Sequence, residues 1–334
     1  MSNSQLSFEA QLLPLEFLTP AEASQFNVRM LTLAREARGL TQRGLADVIH
    51  YKQGRISKIE AGVLVPDKAD IQNFELALGQ KKEFFFQKGE TSPASNSYFR
   101  KAQSMSLTML RQCNARMNIR RLEIERTIGD KKLGNRELPY LPPETNGGAR
   151  AVAQGVRKKW DIKRGPVQHL TRLVEETGCV IVDFAFPSPK LDALCIHAPQ
   201  KPRFIFLNKD FPKSRRRLTL AHELGHLVMH TNPHEKIEDE AWEFAQEFLM
   251  PTAEIGKELD GLNFDKLGQL KQKWGVSMQA ILFHAQKMGK ISESYSRYLW
   301  VQIGKRGWRV NEPYEDLIPD EQPTELENRL KTYI

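Results

Sequence analysis

The chain has 334 residues, of which 40% are hydrophobic and 27% are charged, and its formal net charge is +8. These values indicate a soluble protein of two or three globular domains and exclude a chain that is disordered throughout. No apolar run reaches the roughly 18 residues that a membrane span requires. The opening stretch MSNSQLSFEAQLLPLEFLTP lacks the basic segment of a secretory signal, and three cysteines suit a reducing compartment, so we expect a cytoplasmic protein.

The positive charge is concentrated in one part of the chain. Residues 97–164 contain 16 Lys and Arg against 6 Asp and Glu, a surplus larger than that of the whole chain. Such a surplus favours an anionic partner, most often nucleic acid, although a solvated helical face can be equally basic. Charge alone leaves both interpretations open.

Composition and hydrophobic periodicity divide the chain into five segments. These are an N-terminal lead (1–26), an amphipathic helical domain (27–82), a connector (83–148), a mixed helix and strand domain (149–256) and a helical C-terminal domain (257–334). In the connector, polar linkers at 88–97 and 134–148 flank a basic helix expected over 98–132. The expected fold is therefore mainly α, with one small α+β domain.

The stretch GLTQRGLADVIHYKQGRISKIEAG, residues 39–62, has the pattern of two short helices separated by a turn. Thr41 can cap the first helix, and Gly62 can end the second. The residues expected to face the core are Leu45, Ala46, Val48, Ile49, Ile56 and Ile59. The pattern resembles the Xre-type helix-turn-helix of phage repressors over about residues 27–80.

This resemblance implies that the second helix enters the major groove of duplex DNA. The residues that would face the bases are Gln53, Gly54, Arg55 and Lys58. Gln42 and Arg43, at the start of the preceding helix, would contact phosphate. Gln and Arg carry the bidentate donors that base edges require, whereas Gly54 offers no side chain. A protein-binding or purely structural helical domain is the alternative.

The segment 149–256 begins with helices and continues with short runs of β-branched and aromatic residues. The three runs are CVIVDF (179–184), DALCIH (192–197) and RFIFLN (203–208). Pro and Lys in the turns between them predict a small, largely antiparallel sheet. Two helices should follow, one beginning between Lys213 and Arg217 and one running from Lys236 to Met250, where Pro251 stops it. From there to the end the chain is expected to be helical.

The stretch LTLAHELGHLVMH, residues 218–230, contains the zinc-peptidase pattern H-E-x-x-H. His222 and His226 are four residues apart, so on a helix both imidazoles project from one face and can hold one cation. Glu223 can then reach a metal-bound water as a general base. Catalytic zinc usually has three protein ligands. Glu238, at the top of an apolar stripe on the next helix, is the expected third ligand, and Glu240 is the weaker candidate.

The stretches LTLAHELGHLVMH and EDEAWEFAQEFLMP together resemble the ImmA/IrrE family of metallopeptidases, over about residues 149–334. The resemblance implies zinc ligands at His222, His226 and Glu238, with Glu223 as general base. Trp242 departs from the pattern, because relatives often have Asn or Asp at this position. Since that position is expected to support a ligand, its replacement bears on zinc affinity and activity.

Two further residues are accessory candidates. His230 could hydrogen-bond substrate or close the pocket, or simply interact with the helix dipole. Cys195 lies on a strand expected beside the cleft. Its thiolate could occupy the open position of zinc and silence the enzyme, although a small buried hydrophobe is the more common role of such a cysteine.

These features favour a DNA-binding zinc endopeptidase that regulates transcription by cutting a repressor- or antitoxin-like protein in a stress, phage or mobile-element response. The alternatives are a transcription factor whose peptidase-like domain only senses a ligand or holds zinc, and a toxin–antitoxin or phage-defence component. The expected partners are duplex DNA, the protein substrate and a second copy of this chain in a homodimer, with no membrane.

Overall fold

The computed structural model describes residues 25–91, 105–129, 133–197, 201–232 and 234–324. Within these ranges the chain is mainly α-helical with one three-stranded sheet, in agreement with the expected fold class. The contacts separate two compact units, which are described in turn. No helix of the described ranges is long and apolar enough to cross a membrane. The lead at 1–24 and most of the linker at 88–97 lie outside the described residues.

The first unit is built from short helices. They are α1 (Val28–Ala37), α2 (Gln42–Val48), α3 (Gln53–Glu60), α4 (Lys68–Leu78), a 3₁₀ helix (Lys82–Phe86) and the first part of α5 (Leu107–Ile128). The predicted cap is present, because the Thr41 side chain accepts a hydrogen bond from the Gly44 amide at the start of α2. Gly62 follows α3 with a φ of 70°, a conformation that favours glycine.

The core of this unit contains most of the residues predicted for it. Leu45, Ala46, Ile56 and Ile59 are buried, and the aromatic rings of the 3₁₀ helix pack against the same cluster. Val48 was expected inside, and this prediction is wrong because 53% of the residue is exposed. It is the last residue of a seven-residue helix, and so short a helix buries only part of its circumference.

The basic segment forms the helix α5, which ends at Ile128. The prediction over 98–132 was therefore too long at both ends within the described residues, and 98–104 and 130–132 lie outside them. Ala115, Ile119 and Leu122 pack into the core of the first unit. One face of this helix is thus apolar and buried, although the segment is strongly basic.

The second unit contains the remaining helices and the sheet. The helices are α6 (Ala149–Lys159), α7 (Leu170–Glu175), α8 (Lys213–Met229), α9 (Ile237–Leu249), α10 (Thr252–Ile255), α11 (Phe264–Trp274), α12 (Met278–Lys287) and α13 (Glu293–Lys305), with a 3₁₀ turn at Pro143–Thr145. The strands are β1 (Val180–Phe184), β2 (Ala193–Ile196) and β3 (Phe204–Asn208). One continuous hydrophobic core extends from Ala149 to Ile303.

The sheet has the order β1-β3-β2, with β1 parallel and β2 antiparallel to β3. The expected largely antiparallel sheet is therefore wrong for one of the two pairings. The chain leaves β1, forms the outer strand β2 and turns back into the central strand β3, so β1 and β3 run in the same direction. All five residues of β3 are buried, as a central strand covered on both faces requires.

The C-terminal end differs from its prediction as well. The last helix of the described residues ends at Lys305, residues 306–324 form turns and extended chain, and residues 325–334 lie outside the described ranges. The segment 306–324 contributes two carboxylates to the packing of the helices, that of Glu312 buried and that of Glu315 partly exposed. The carboxylate of Glu312 accepts hydrogen bonds from the first amides of α12, and that of Glu315 accepts from the amide and hydroxyl of Ser214 at the start of α8. The buried ammonium of Lys271 lies 3.1 Å from Glu312 and 2.7 Å from Glu315 and joins the two caps.

Candidate metal centre and nucleic-acid interface

Helices α8 and α9 carry the candidate metal centre. They pack closely because α8 has Gly225 where the two helices meet. A Cβ at this position would lie only 3.0 Å from a ring carbon of Phe244 on α9. The His222 and His226 side chains project from the same region of α8, and Glu238 lies in the first turn of α9. The packing of the two helices therefore brings Glu238 to the two histidines, a contact that the spacing in the sequence could not establish.

The donor atoms of these three side chains form a compact group. The Nε2 atoms of His222 and His226 are 3.1 Å apart. Oxygens of the Glu238 carboxylate lie 3.4 Å from each of the two Nε2 atoms. Ligands about 2.1 Å from a tetrahedral ion lie about 3.4 Å from one another, so this spacing fits zinc. His222 is fully buried, which holds its imidazole away from bulk water.

Electrostatics within the group agree with this fit. Burial by itself would raise the pKa of Glu238, but the adjacent His222 and His226 imidazoles lower it overall. The carboxyl group is therefore ionised at neutral pH and can serve as an anionic ligand. Two imidazole nitrogens and one carboxylate oxygen are a donor set that suits a divalent cation such as zinc.

Glu223 lies beside the group and is not one of its three members. It is 1% exposed, and its Oε2 atom accepts a hydrogen bond from the Cys195 thiol at 2.9 Å. Cys195 belongs to β2, so the expected proximity of this strand to the cleft is a feature of the structure. The contact is with the candidate base. It gives the buried cysteine a polar role that the sequence did not predict.

Trp242, the departure from the family pattern, packs on the first histidine. Its ring centroid lies 4.0 Å from that of His222, with 38° between the planes. The indole also lines a cavity of about 1120 Å³ between α8, α9, α12 and the C-terminal turns. Further aromatic residues in this cavity are Phe211, Phe283 and Trp300. The position thus holds an apolar wall beside the histidine.

A second group of potential ligands lies next to the first. It consists of His230, His234 and Glu240, whose donor atoms lie within 4.8 Å of one another. His230 ends α8, and its Nδ1 atom is 3.1 Å from Nδ1 of His226. Burial lowers the pKa of His230 to about 3, so this imidazole is neutral at pH 7. Sequence reasoning missed His234, although histidines recur at every fourth position from 222 to 234.

The residues predicted to contact DNA lie on α2 and α3. Arg43, Gln53, Gly54 and Lys58 are exposed. Gln42 is half-buried, donates to Glu60 at 2.9 Å and accepts from Gln53 at 3.0 Å. These hydrogen bonds join the beginning of α2 to both ends of α3.

Arg55 has partners within the protein that the sequence did not suggest. Its Nη2 atom donates to Asp67 at 3.0 Å and to Asp70 at 2.6 Å, and the guanidinium also lies over the Tyr51 ring. Asp67 and Asp70 form the capping box of α4. Arg55 therefore ties α3 to α4, and its predicted contact with bases stays a prediction.

Comparison with protein families supports both domains. The peptidase-family model described as the IrrE N-terminal-like domain matches residues 174–285, and a helix-turn-helix domain model matches residues 28–80. A search of curated proteins found no match. The chain thus carries a helix-turn-helix DNA-binding domain fused to a metallopeptidase-like domain of the ImmA/IrrE type. This is the domain composition of a DNA-binding regulator.

Proposed function

We propose that this protein is a zinc endopeptidase that binds operator DNA and regulates transcription by cleaving a repressor- or antitoxin-like protein in a stress, phage or mobile-element response. The observation that carries the proposal is the position of Glu223. It lies next to the group formed by His222, His226 and Glu238 without being part of it. A zinc site that served only for stability would have no need of this buried carboxylate.

In this proposal His222, His226 and Glu238 hold the zinc ion. Bound zinc would supply Lewis acidity, which polarises a peptide carbonyl and lowers the pKa of water. Glu223 is the general base. Its carboxylate takes the proton of the attacking water and delivers it to the leaving amine, and the hydrogen bond that Oε2 accepts from the Cys195 thiol restrains this carboxylate.

The helix-turn-helix domain would direct the protein to duplex DNA, where Gln53, Gly54, Arg55 and Lys58 face the bases and Gln42 and Arg43 contact phosphate. In this proposal the repressor substrate is bound at the same operator. Because the DNA-binding and peptidase domains belong to one chain, DNA binding raises the concentration of the repressor around the peptidase domain. We also propose that the domains follow the five segments 1–26, 27–82, 83–148, 149–256 and 257–334. The protein would bind DNA as a homodimer and would be located in the cytoplasm.

The test is the substitution Glu223→Gln, which keeps the size of the side chain and removes its ability to take a proton. Loss of a positioned base typically lowers the rate by a factor on the order of 100 to 10,000. Wild type and variant are each expressed with a candidate repressor encoded beside the gene, and repressor length and promoter activity are followed. Glu243→Gln, which removes an exposed carboxylate of α9, is the matched control.

We expect Glu223→Gln to retain zinc, fold and DNA binding but to leave the repressor intact and the promoter silent. Glu243→Gln should behave as wild type. If Glu223→Gln derepresses the promoter as well as wild type does, with the repressor intact, the peptidase proposal is wrong.

That result would favour the second candidate, a regulator whose peptidase-like domain senses a ligand. The cavity of about 1120 Å³ beside Trp242 is the observation that supports it, since a lining that combines aromatic rings with charged side chains such as Arg215 and Arg309 suits a small amphipathic ligand. Placing a positive charge among the aromatic rings of this cavity by Phe283→Arg should then abolish the response, while Glu223→Gln leaves it unchanged.

A further inference from the structure

The group of His230, His234 and Glu240 has the composition of a metal site of its own. The Glu240 Oε2 atom lies 3.0 Å from Nε2 of His230 and 3.4 Å from Nε2 of His234. Two imidazole nitrogens and one carboxylate oxygen are a donor set that zinc and its neighbours in the first transition row prefer. We propose that these residues form a second site for a divalent transition metal, which we call the outer site; the inner site is that of His222, His226 and Glu238.

The donors of the outer site come from three different parts of the backbone. His230 ends α8, His234 follows in the loop, and Glu240 belongs to the first turn of α9. Their side-chain exposure rises from 4% for His230 to 19% for Glu240 and 36% for His234. The site is therefore anchored in the protein on one side and reaches solvent through His234, so that a metal ion can enter without unfolding the helices.

The two sites share one hydrogen bond. Nδ1 of His226 lies 3.1 Å from Nδ1 of His230, and a single hydrogen atom must lie between them. An imidazole that holds a metal through Nε2 in its neutral form carries its hydrogen on Nδ1. If His226 and His230 both held metals in this way, two N–H groups would face each other across 3.1 Å.

Metal at one site therefore opposes metal at the other. With the inner site filled, His226 donates to His230, whose hydrogen must then lie on Nε2 and point to Glu240. To fill the outer site, the protein must break this hydrogen bond or move the His230 ring. The loss of one such bond is expected to weaken binding by about tenfold. Excess metal would thus disfavour the inner site and act as an inhibitor. The outer site stands without the proposed function, whereas this coupling depends on an inner metal.

The experiment is a calorimetric zinc titration of the tag-free, metal-free full chain. The variant His222→Gln/Glu238→Gln lacks the inner site and should bind one zinc. Adding His234→Gln to it should abolish this binding, whereas adding His197→Gln, which removes an exposed imidazole outside both groups, should not. In wild type the second equivalent should bind about tenfold more weakly than the single equivalent of the inner-site variant.

Wild type provides a check that does not depend on the folding of the multiple variants. Wild type should bind two equivalents of zinc. The variant His234→Gln should bind one equivalent, with the affinity that the first equivalent has in wild type. If neither background shows zinc binding that depends on His234, the outer site does not exist, even when the inner site binds zinc. Equal affinity of the outer site with and without the inner ligands would overturn the coupling. If wild type binds only the zinc equivalent that depends on His234, the inner site is contradicted and the outer site is supported.

Discussion

Trp242 covers one face of His222, with 4.0 Å between the ring centroids. The indole restricts the orientation of a histidine that the proposed function assigns to zinc. Such packing supports the site, because a ligand binds best when its ring is held in one orientation.

Replacement of this indole should therefore affect zinc. We expect Trp242→Ala to lower zinc affinity by roughly 10- to 100-fold, the usual cost of losing support for a ligand. Trp242→Phe keeps a ring in place and should lose much less. Competition with a chromophoric chelator measures both affinities. Unchanged affinity in the alanine variant would show that the packing contributes nothing to the centre.

The contact between Cys195 and Glu223 predicts a difference between two substitutions of similar size. Cys195→Ser retains a donor for the buried carboxylate, whereas Cys195→Ala removes it. We expect the alanine variant to lose about 1–3 kcal/mol more unfolding free energy than the serine variant and to cleave more slowly. Urea unfolding and cleavage assays provide the two readouts. Equal unfolding free energies and equal cleavage rates of the two variants would show that Cys195 acts only as a small buried hydrophobic residue.

Gly54 allows charge on the proposed reading helix to be changed without crowding. Nothing lies within 4 Å of a Cβ added there, and the residue is exposed. Gly54→Ala should stabilise α3 by about 0.5–1 kcal/mol and leave DNA binding nearly unchanged. Gly54→Glu places a negative charge near phosphate and should weaken binding at least about tenfold.

The measurement is binding of the full chain to a mixed-sequence DNA duplex at low and moderate salt. Affinity of the wild type should fall steeply with salt as counterions are released. If the glutamate variant binds as tightly as the alanine variant, α3 does not face DNA.

Lys271 and Lys273 lie two residues apart on α11 but should differ in their effect on stability. Lys271 is completely buried against Glu312 and Glu315, whereas half of the Lys273 side chain is exposed beside Glu258. Lys271→Met leaves two carboxylates without their cation and should cost about 3–5 kcal/mol. Lys273→Met should cost less than about 1 kcal/mol. Equal losses in urea unfolding would contradict the bridging role of Lys271.

His284 predicts part of the acid sensitivity of the protein. Burial lowers its pKa to about 4, and Nδ1 lies 3.4 Å from the Gln246 side chain. Because the folded pKa lies below the unfolded value of about 6.5, the stabilising contribution is complete above pH 6.5 and is lost as the pH falls towards 4. The loss between pH 7 and 5 should be about 2 kcal/mol.

His284→Gln removes the titrating group and retains a polar side chain, so its unfolding free energy should fall less over this interval. Both proteins are unfolded in urea in the presence of a chelator, which removes the contribution of metal. Parallel pH profiles would show that His284 does not titrate with folding.

Features that depend on local periodicity could be predicted from the sequence alone. The four-residue spacing of His222 and His226 places both on one helical face, and Thr41 caps α2, because helix geometry relates residues only a few positions apart. The fold class and the two domain types follow from the same short-range patterns. These predictions are confirmed, and the strand segments were placed within a residue or two.

Only the tertiary structure decided which distant residues meet. Strand order depends on packing of the whole sheet, so the parallel pairing of β1 with β3 was missed. Cys195 and Glu223 are 28 positions apart and meet because β2 lies against α8. Arg55 carries the hydrogen-bond donors that the recognition of bases requires, but in the structure two aspartates at the start of α4 accept them. The sequence determines the chemistry of each side chain. Long-range packing determines which partner each side chain meets, and no periodic pattern in the sequence reports that packing.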